Sequence, residues 1–336
     1  MRVRQWLIKG AALLQRLWRE RKKPLPAPPK TDRTGDMNRM TAHGLMLIAA
    51  FIWGTTFVAQ TTGMETIGPM GFTWARYLVG ALFVLPLALF EMRRASLLAA
   101  MRKDSRLFWQ ALGLGVLMFG GIALQQTALL HTKVANAAFL TALYVPAVPL
   151  LAWLFIRQPV GGRIWLAVLF SLLGSWALSG ASPSLLAQWG DFLVMTGALF
   201  WAGHILLIGF VTPKIKAPFQ LAVLQSLVCV ILAGAPMLLL ERPALADFPP
   251  VGWQILYAGI LSVGIAYTIQ LVAQRYSDPT TAAFILSLES VFAAWAGWQF
   301  LHQQLGWMAL TGCGLIFIAV CLADVLPSGW LRRKPV

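Results

Sequence analysis

Hydrophobic residues in this chain fall in long runs, and polar residues are concentrated between the runs. Ten runs have the ~20 residues that an α-helix needs to cross a hydrocarbon core of ~30 Å. Membrane β-strands would instead alternate apolar and polar residues over about ten positions. We therefore predict an all-α integral membrane protein with ten transmembrane helices. These spans, numbered one to ten along the chain, cover about 42–62, 70–90, 107–130, 134–156, 163–180, 190–211, 219–240, 252–274, 280–301 and 306–326.

The segments outside the ten spans are short or low in complexity. Residues 1–40 are basic and proline-rich, which predicts a disordered tail, and residues 327–336 form a second basic tail. Between the tails, the pattern divides into two units of five spans, 42–180 and 188–326. The connections are too short to hold a folded domain outside the membrane.

Composition and charge agree with a membrane location and predict an orientation. The 336 residues are 58% hydrophobic and 12% charged, whereas soluble domains are about a quarter charged. The net charge of +15 does not indicate nucleic-acid binding, because 24 of the 27 Lys and Arg residues lie in the tails and in alternate connections. By the positive-inside rule, both termini are cytoplasmic, and we expect a multi-pass protein of the cell (inner) membrane.

The two five-span units resemble each other in sequence. Shifted by 145 residues, segment 125–161 aligns without a gap with segment 270–306, and Trp153 falls on Trp298. Because each unit has an odd number of spans, the second copy must cross the membrane in the opposite sense. Inverted repeats of this kind are typical of secondary transporters, whose substrate site lies near the bilayer midplane between the copies.

Several short motifs, in their order and spacing, resemble the drug/metabolite transporter superfamily and its EamA-type ten-helix members. They are FIWG at 51–54 in span one, ARY at 75–77 in span two, GDF at 190–192 and LFWA at 199–202 in span six, and SLESVFAA at 287–294 in span nine. The resemblance implies a carrier whose central cavity is lined by spans one, three, four, six, eight and nine.

Two positions depart from the family pattern. The family commonly has Pro after the glutamate of span nine, where this chain has Ser290. It also commonly ends spans four and nine with Gly-Glu, where this chain has Arg157-Gln158 and His302-Gln303. The missing acidic pair removes one basis for inferring the substrate.

Glu289 is the main candidate for a functional residue, because it is a carboxylate in the middle of span nine. A charge at a bilayer centre costs ~2.5–3.5 kcal/mol on insertion scales, so such a group normally faces a cavity or a partner. We expect Glu289 to bind a substrate ammonium group or to carry a coupling proton. The alternative is a hydrogen bond that only fixes helix packing.

Two further ionisable residues lie within spans. His204 of span six aligns with Thr56 of span one, and it could relay protons or simply bond a carbonyl across a helix contact. Arg76 of span two could pair with a carboxylate such as Glu65, bind a substrate carboxylate, or extend to the interface.

Polar pairs related by the repeat are the next candidates. Gln125 and Gln270 occupy equivalent places in spans three and eight, close to Tyr267. They could bind a solute from both copies or hold the two copies together. Tyr144 occupies the position of Glu289 in the first copy.

Span four carries two prolines, Pro146 and Pro149, just after Tyr144. Each proline removes a backbone donor and clashes with the preceding turn, so we expect a kink in span four.

Trp53 and Trp201 are repeat-equivalent aromatic residues near the polar positions of spans one and six. Aromatic walls at these positions would suit an aromatic or cationic solute. The sequence has no Walker loop, metal-ligand spacing or catalytic motif, and we predict neither an enzyme nor a bound cofactor or metal.

The resemblance and the repeat together predict a secondary transporter that exports a small organic metabolite, such as an amino acid or a related solute, by alternating access. Protons are the candidate coupling ion, and the lipid bilayer is the expected environment. A multidrug or organic-cation exporter and a non-transporting membrane scaffold remain as alternatives.

Overall fold

A computed structural model describes residues 37–132, 134–179, 189–302 and 304–324 of the chain. All regular secondary structure within these ranges is helical, which confirms the predicted all-α class. Seven helical segments are long and apolar enough to cross a membrane. Two more apolar segments, Phe139–Phe155 and Gly162–Leu178, are shorter. The two predicted tails, apart from residues 37–40, lie outside the described ranges.

The first helix, Arg39–Met92, contains both span one and span two. Its 54 residues would extend for ~80 Å if straight, far more than a hydrocarbon core of ~30 Å. Gly68 interrupts it with φ 75° and ψ 167°, a backbone region that essentially only glycine adopts. Pro69 then begins the second arm. The connection between spans one and two is therefore a sharp bend at one glycine.

The remaining helices follow in chain order and are named by the span that each one forms. A short helix, Leu97–Lys103, precedes span three. The bounds are Ser105–Ala128 (three), Val134–Thr141 and Tyr144–Ile156 (four), Gly162–Leu178 (five), Trp189–Val211 (six), Pro218–Pro236 with the π turn Met237–Glu241 (seven), Gly252–Tyr257, Ala258–Ala266 and Tyr267–Ala273 (eight), Pro279–Leu286 and Glu289–Leu301 (nine), and Trp307–Asp324 (ten).

Span four is broken, as predicted, but the break precedes the prolines and lies at residues 142–143. Pro146 has no N–H to donate to the Ala142 carbonyl, and the Val145 N–H donates to that carbonyl instead, at 3.0 Å. The tighter turn changes the direction of the helix just before Tyr144.

Span nine is broken at residues 287–288, and it has no proline at the break. The Ser290 N–H donates to the Ser287 carbonyl at 3.2 Å, and the Ser290 hydroxyl donates to the same carbonyl at 2.7 Å. The second half-helix ends at His302, with φ 52°, just as that of span four ends at Arg157, with φ 55°. Helix starts, breaks and ends in spans four and nine all differ by the same 145 residues.

Spans two and seven are joined at both ends by carboxylates that accept from backbone N–H groups at helix starts. Glu241, at the end of span seven, accepts from Met70 at 2.8 Å and from Gly71 at 2.6 Å in the first turn of span two. Glu91, at the end of span two, accepts from Gln220 at 3.0 Å in the first turn of span seven. A carboxylate is favoured there by the free N–H groups and by the helix dipole.

Close helix crossings bring spans from the two halves together. A Cβ on Gly54 of span one would lie 2.6 Å from the Glu289 carbonyl oxygen and 2.5 Å from the Cβ of Phe292 in span nine. Gly174 of span five and Gly312 of span ten face each other in the same way. These contacts require glycine because only its lack of a side chain lets two backbones approach so closely.

Candidate functional site

A cavity lies where spans one, two, three, four, six, eight and nine meet. It has about 550 Å³ of empty space, including its open end. Both halves of the chain contribute to its wall. The lining residues are Trp53, Phe57, Gln60, Arg76, Ile122, Gln125, Thr141, Tyr144, Trp201, Ile205, Ser262, Tyr267, Gln270, Leu286 and Glu289.

Eight of the ten residues selected from the sequence line this cavity, and two do not. Thr56 is fully buried, and its hydroxyl donates to the Ile52 carbonyl of its own helix at 2.6 Å. His204 lies behind the Trp201 and Tyr267 rings, with Nε2 3.3 Å from Oε1 of Gln225. His204 therefore belongs to the packing around the cavity and not to its wall.

Glu289 and Tyr144 face each other from the two broken helices. Each is the first residue of a second half-helix, so the break itself directs both side chains to the same place. Tyr144 and Glu289 line the same cavity, and they also line a second pocket beside it. The first turn of a helix favours a carboxylate because its N–H groups are unpaired and its dipole end is positive.

Arg76 is the second charged residue of the wall, and it is only 1% exposed. Its guanidinium lies 5.6 Å from the ring centre of Phe72 and 5.3 Å from that of Tyr77. Glu65, the carboxylate suggested as a partner, is exposed and forms no ion pair with it. The alternative in which Arg76 extends to the interface is wrong, because neighbouring helices enclose the side chain.

Three aromatic rings, one from each of spans one, six and eight, form a continuous wall. The ring centres of Trp53 and Tyr267 are 4.8 Å apart, and those of Trp201 and Tyr267 are 6.3 Å apart with planes only 14° from parallel. The Trp53 indole N–H donates to the Ser262 carbonyl at 3.4 Å, which fixes one end of the wall. Tyr267 lies at its centre.

The amide pair predicted from the repeat lines the cavity in spans three and eight. Gln125 donates to the Thr141 hydroxyl at 3.4 Å, and Gln270 donates to Oε1 of Gln274 at 3.3 Å. The Oε1 atoms of Gln270 and Gln60 are buried and have no hydrogen-bond partner in the described structure. These two oxygens are acceptors that a bound group could use.

Sequence reasoning missed several lining residues, most of which are apolar. Gln60 is the polar one with the clearest signal, because it lies seven residues after Trp53 with Phe57 between them, at helical spacing on one face. Thr141 lies three residues before Tyr144, across the break. Ser262 had no such signal, since its place depends on how span eight packs on span one.

No group of three or more His, Cys, Asp or Glu residues that could hold a metal ion occurs in the part of the chain that the structure describes. The cavity wall carries one carboxylate, Glu289, and one guanidinium, Arg76. Its chemistry is therefore that of charge pairing, hydrogen bonding and aromatic contact.

The model of the EamA-like transporter family matches residues 40–180 and again residues 188–323. The chain belongs to the EamA-like transporter family. It is a multi-pass membrane protein of a transporter family, and the resemblance inferred from the short motifs is confirmed.

Curated relatives agree with this assignment. The chain is 28% identical over 289 residues to a protein of Archaeoglobus fulgidus named "Uncharacterized transporter", with 86% of this chain and 87% of the relative covered. It is 24% identical to the "Uncharacterized transporter YwfM" of Bacillus subtilis, with 84% and 93% covered. A solved crystal structure matches with a TM-score of 0.71 and 17% identity over 88% of this chain and 100% of that one, which shows a shared fold.

Proposed function

We propose that this EamA-family chain is a ten-span secondary transporter that exports a small organic solute, such as an amino acid or a related metabolite, by alternating access. The observation that carries the proposal is the central cavity, whose wall comes from both halves of the chain and includes Glu289. A site between two halves becomes accessible from either side when the halves rock around it.

Three features support an inverted repeat of five spans. The breaks and ends of spans four and nine share one offset. The carboxylates Glu91 and Glu241 join spans two and seven reciprocally at their opposite ends. The bend at Gly68 divides the first long helix into two arms. If both arms and the shorter spans four and five cross the membrane, the described residues supply the ten segments that the proposal requires.

The distribution of Lys and Arg supports cytoplasmic termini and insertion in the cell (inner) membrane. Solute flow would then be driven by the solute gradient or by protons carried on Glu289. The wall formed by Trp53, Tyr267 and Trp201 beside a carboxylate also favours a second candidate, the export of organic cations, because aromatic faces attract cations.

The direct test is transport by purified protein in liposomes. Amino acids and organic cations are screened first by the thermal stabilisation of the protein, since a specific ligand stabilises the folded state by mass action. The ligands found are then assayed as radiolabelled substrates with and without a pH gradient. We expect saturable transport that Glu289→Gln reduces or uncouples from pH.

The matched control is Glu65→Gln, which removes an exposed carboxylate far from the cavity wall. It should leave transport unchanged. Unaltered rate and pH dependence in Glu289→Gln would contradict a role for Glu289 in coupling.

A cysteine at position 290 separates a carrier from a scaffold. Ser290 borders an extension of the cavity that Tyr144 and Glu289 also line. In a background without Cys229, Cys313 and Cys321, Ser290→Cys should react with a thiol reagent more slowly when solute is bound. A rate that no solute alters, together with no transport, would favour the scaffold.

A further inference from the structure

The cavity wall carries two opposite charges that do not form an ion pair with each other. Arg76 and Glu289 both line the cavity, but no nitrogen–oxygen pair between them lies within 4.0 Å. Glu289 shares the walls of two pockets with Tyr144. A carboxylate partner for Arg76 is absent from the described residues.

The Arg76 guanidinium is incompletely satisfied. Its Nε and Nη2 atoms are buried and have no hydrogen-bond partner in the described structure. The rings of Phe72 and Tyr77 lie against it, and neither supplies a negative charge. A buried cation with unused donors is costly unless an anion pairs with it.

Arg76 has an uncharged counterpart in the second copy. Arg76 is the eighth residue of the arm that begins at Pro69, and Gln225 is the eighth residue of span seven, which begins at Pro218. Gln225 is neutral and pairs with His204. The fold therefore accommodates a neutral residue at this place, and the positive charge occurs in the first copy alone.

The negative charge has the opposite distribution. Glu289 begins the second half of span nine, and the neutral Tyr144 begins the second half of span four. Each copy thus contributes one charged residue to the shared cavity, and its counterpart in the other copy is uncharged. This arrangement presents a positive group and a negative group to whatever occupies the space between the copies.

We infer that the cavity binds zwitterionic solutes, with Arg76 donating to a carboxylate and Glu289 accepting from an ammonium group. This inference rests on the proposed transport function and specifies its substrate class. The free acceptors of Gln60 and Gln270 supplement Glu289 around the ammonium group. The remainder of the solute contacts the aromatic wall at Tyr267.

A solute with a single charge fits this wall less well. An organic cation would pair with Glu289 and leave the guanidinium of Arg76 unpaired, whereas an organic anion would do the reverse. Truncating one partner of a buried pair leaves an uncompensated charge, and specificity follows from that penalty on the wrong ligand. The zwitterion satisfies both groups at once.

The test compares matched ligands for thermal stabilisation of the purified full-length protein. The probes are the twenty protein amino acids, the amides of these amino acids, their decarboxylated amines and their deaminated acids. For leucine these are leucinamide, 3-methylbutylamine and 4-methylpentanoate. We expect at least one amino acid to stabilise the protein, with its amide, amine and acid binding on the order of 10- to 100-fold more weakly, the range of one lost charge-assisted hydrogen bond.

Two variants assign the charges. Arg76→Gln, which installs the residue found in the second copy, should abolish the preference for the amino acid over its amide and amine. Glu289→Gln should abolish the preference for the amino acid over the deaminated acid. Arg76→Lys keeps the charge and should retain part of the preference, and Arg93→Gln, which removes an exposed arginine, should change nothing.

The zwitterion inference would be overturned if amines stabilised the protein as much as amino acids do, or if no amino acid stabilised it. Both results are obtained with the unmodified protein, so they do not depend on the folding of any variant. The proposed transport function is tested independently, and it would be contradicted if no solute of any charge were transported in liposomes. Transport of cations that Arg76→Gln does not alter would support a carrier but contradict the zwitterionic substrate class.

Discussion

Spans four and nine are built alike and carry different chemistry. Both are two half-helices separated by a two-residue break, and both end in a left-handed residue, at Arg157 and at His302. At the first position of the second half, one presents Tyr144 and the other Glu289. The geometry is thus a property of the repeated backbone, whereas the charge is a property of one copy.

The two breaks are also produced by different residues. In span four, Pro146 removes the N–H that would continue the helix, while in span nine the Ser290 hydroxyl occupies the Ser287 carbonyl. The same turn arises from a missing donor in one case and from an additional donor in the other. The break matters more than the residue that causes it, because it directs Tyr144 and Glu289 into the cavity.

The largest effect should come from the helix crossing that supports the break of span nine. Gly54→Leu would force a side chain into space held by the Glu289 carbonyl and the Cβ of Phe292. Overpacking costs ~1–3 kcal/mol when neighbours can move, and here part of the obstacle is backbone. We expect lost transport and a clearly lower melting temperature in detergent.

Gly44→Leu in the same span is the control, since nothing lies within 4 Å of a Cβ built there. It should melt and transport like the unmodified protein. Similar behaviour of the two variants would mean that spans one and nine do not approach each other at Gly54.

Exchanging the two differing residues tests whether the copies provide interchangeable positions. Glu289→Tyr should abolish transport, because the cavity then has no carboxylate. Adding Tyr144→Glu returns a carboxylate to the same cavity from the other copy. We expect the double variant to exceed Glu289→Tyr on the order of tenfold in transport rate, equivalent to ~1.4 kcal/mol. Inactivity of a well-folded double variant would show that the two positions are not equivalent.

The carboxylates at the ends of spans two and seven extend the comparison beyond the cavity. Glu241→Gln and Glu91→Gln each weaken contacts to a helix start, which are typically worth ~0.3–2 kcal/mol. Glu241 makes the shorter contacts, at 2.6 and 2.8 Å, so its loss should lower the melting temperature more. Glu65→Gln, which removes an exposed carboxylate, is the control. Equal melting of all three variants would contradict a reciprocal link between the spans.

Hydropathy predicted the helical class, short motifs indicated the family, and polar or aromatic residues within spans gave most of the polar part of the candidate wall. Eight residues chosen for polarity or aromaticity within a span do line the cavity, because polar groups in a lipid-embedded helix must turn inward. The prediction of ten spans was confirmed only in part, because seven helical segments of the described residues are long and apolar enough to cross a membrane. Run length does not reveal that spans one and two meet at the single non-helical residue Gly68, nor where span four breaks into two short pieces.

Two single residues were not placed from the sequence for the same reason. The sequence gives the position of a residue along its helix, but not which neighbouring helices surround its side chain. One alternative for Arg76 was that it reaches the interface, yet the side chain is only 1% exposed. His204 was left open between a proton relay and a bond across a helix contact, and the structure pairs it with Gln225 of span seven. Helical periodicity cannot resolve such cases in spans that are apolar on all sides.

The smallest effect should come from the hydroxyl that distinguishes the two breaks. Ser290→Ala removes the bond from the hydroxyl to the Ser287 carbonyl but keeps the backbone N–H that also donates to that carbonyl, at 3.2 Å. Interhelical and local hydrogen bonds in membranes contribute ~0.6 kcal/mol on average, so we expect a small decrease in melting temperature and nearly unchanged transport.

Ser290→Pro is the informative partner of this variant, because it restores the residue common in the family and removes the N–H as well. Position 290 corresponds to Val145 of span four, one residue before Pro146, so the proline tests whether the break survives without the N–H that donates to the Ser287 carbonyl. If the break itself directs Glu289, the proline should preserve transport, with a stability close to that of Ser290→Ala. A loss of transport in Ser290→Pro alone would mean that the serine contributes to the site through its own hydrogen bonds, and that the two breaks are alike in shape only.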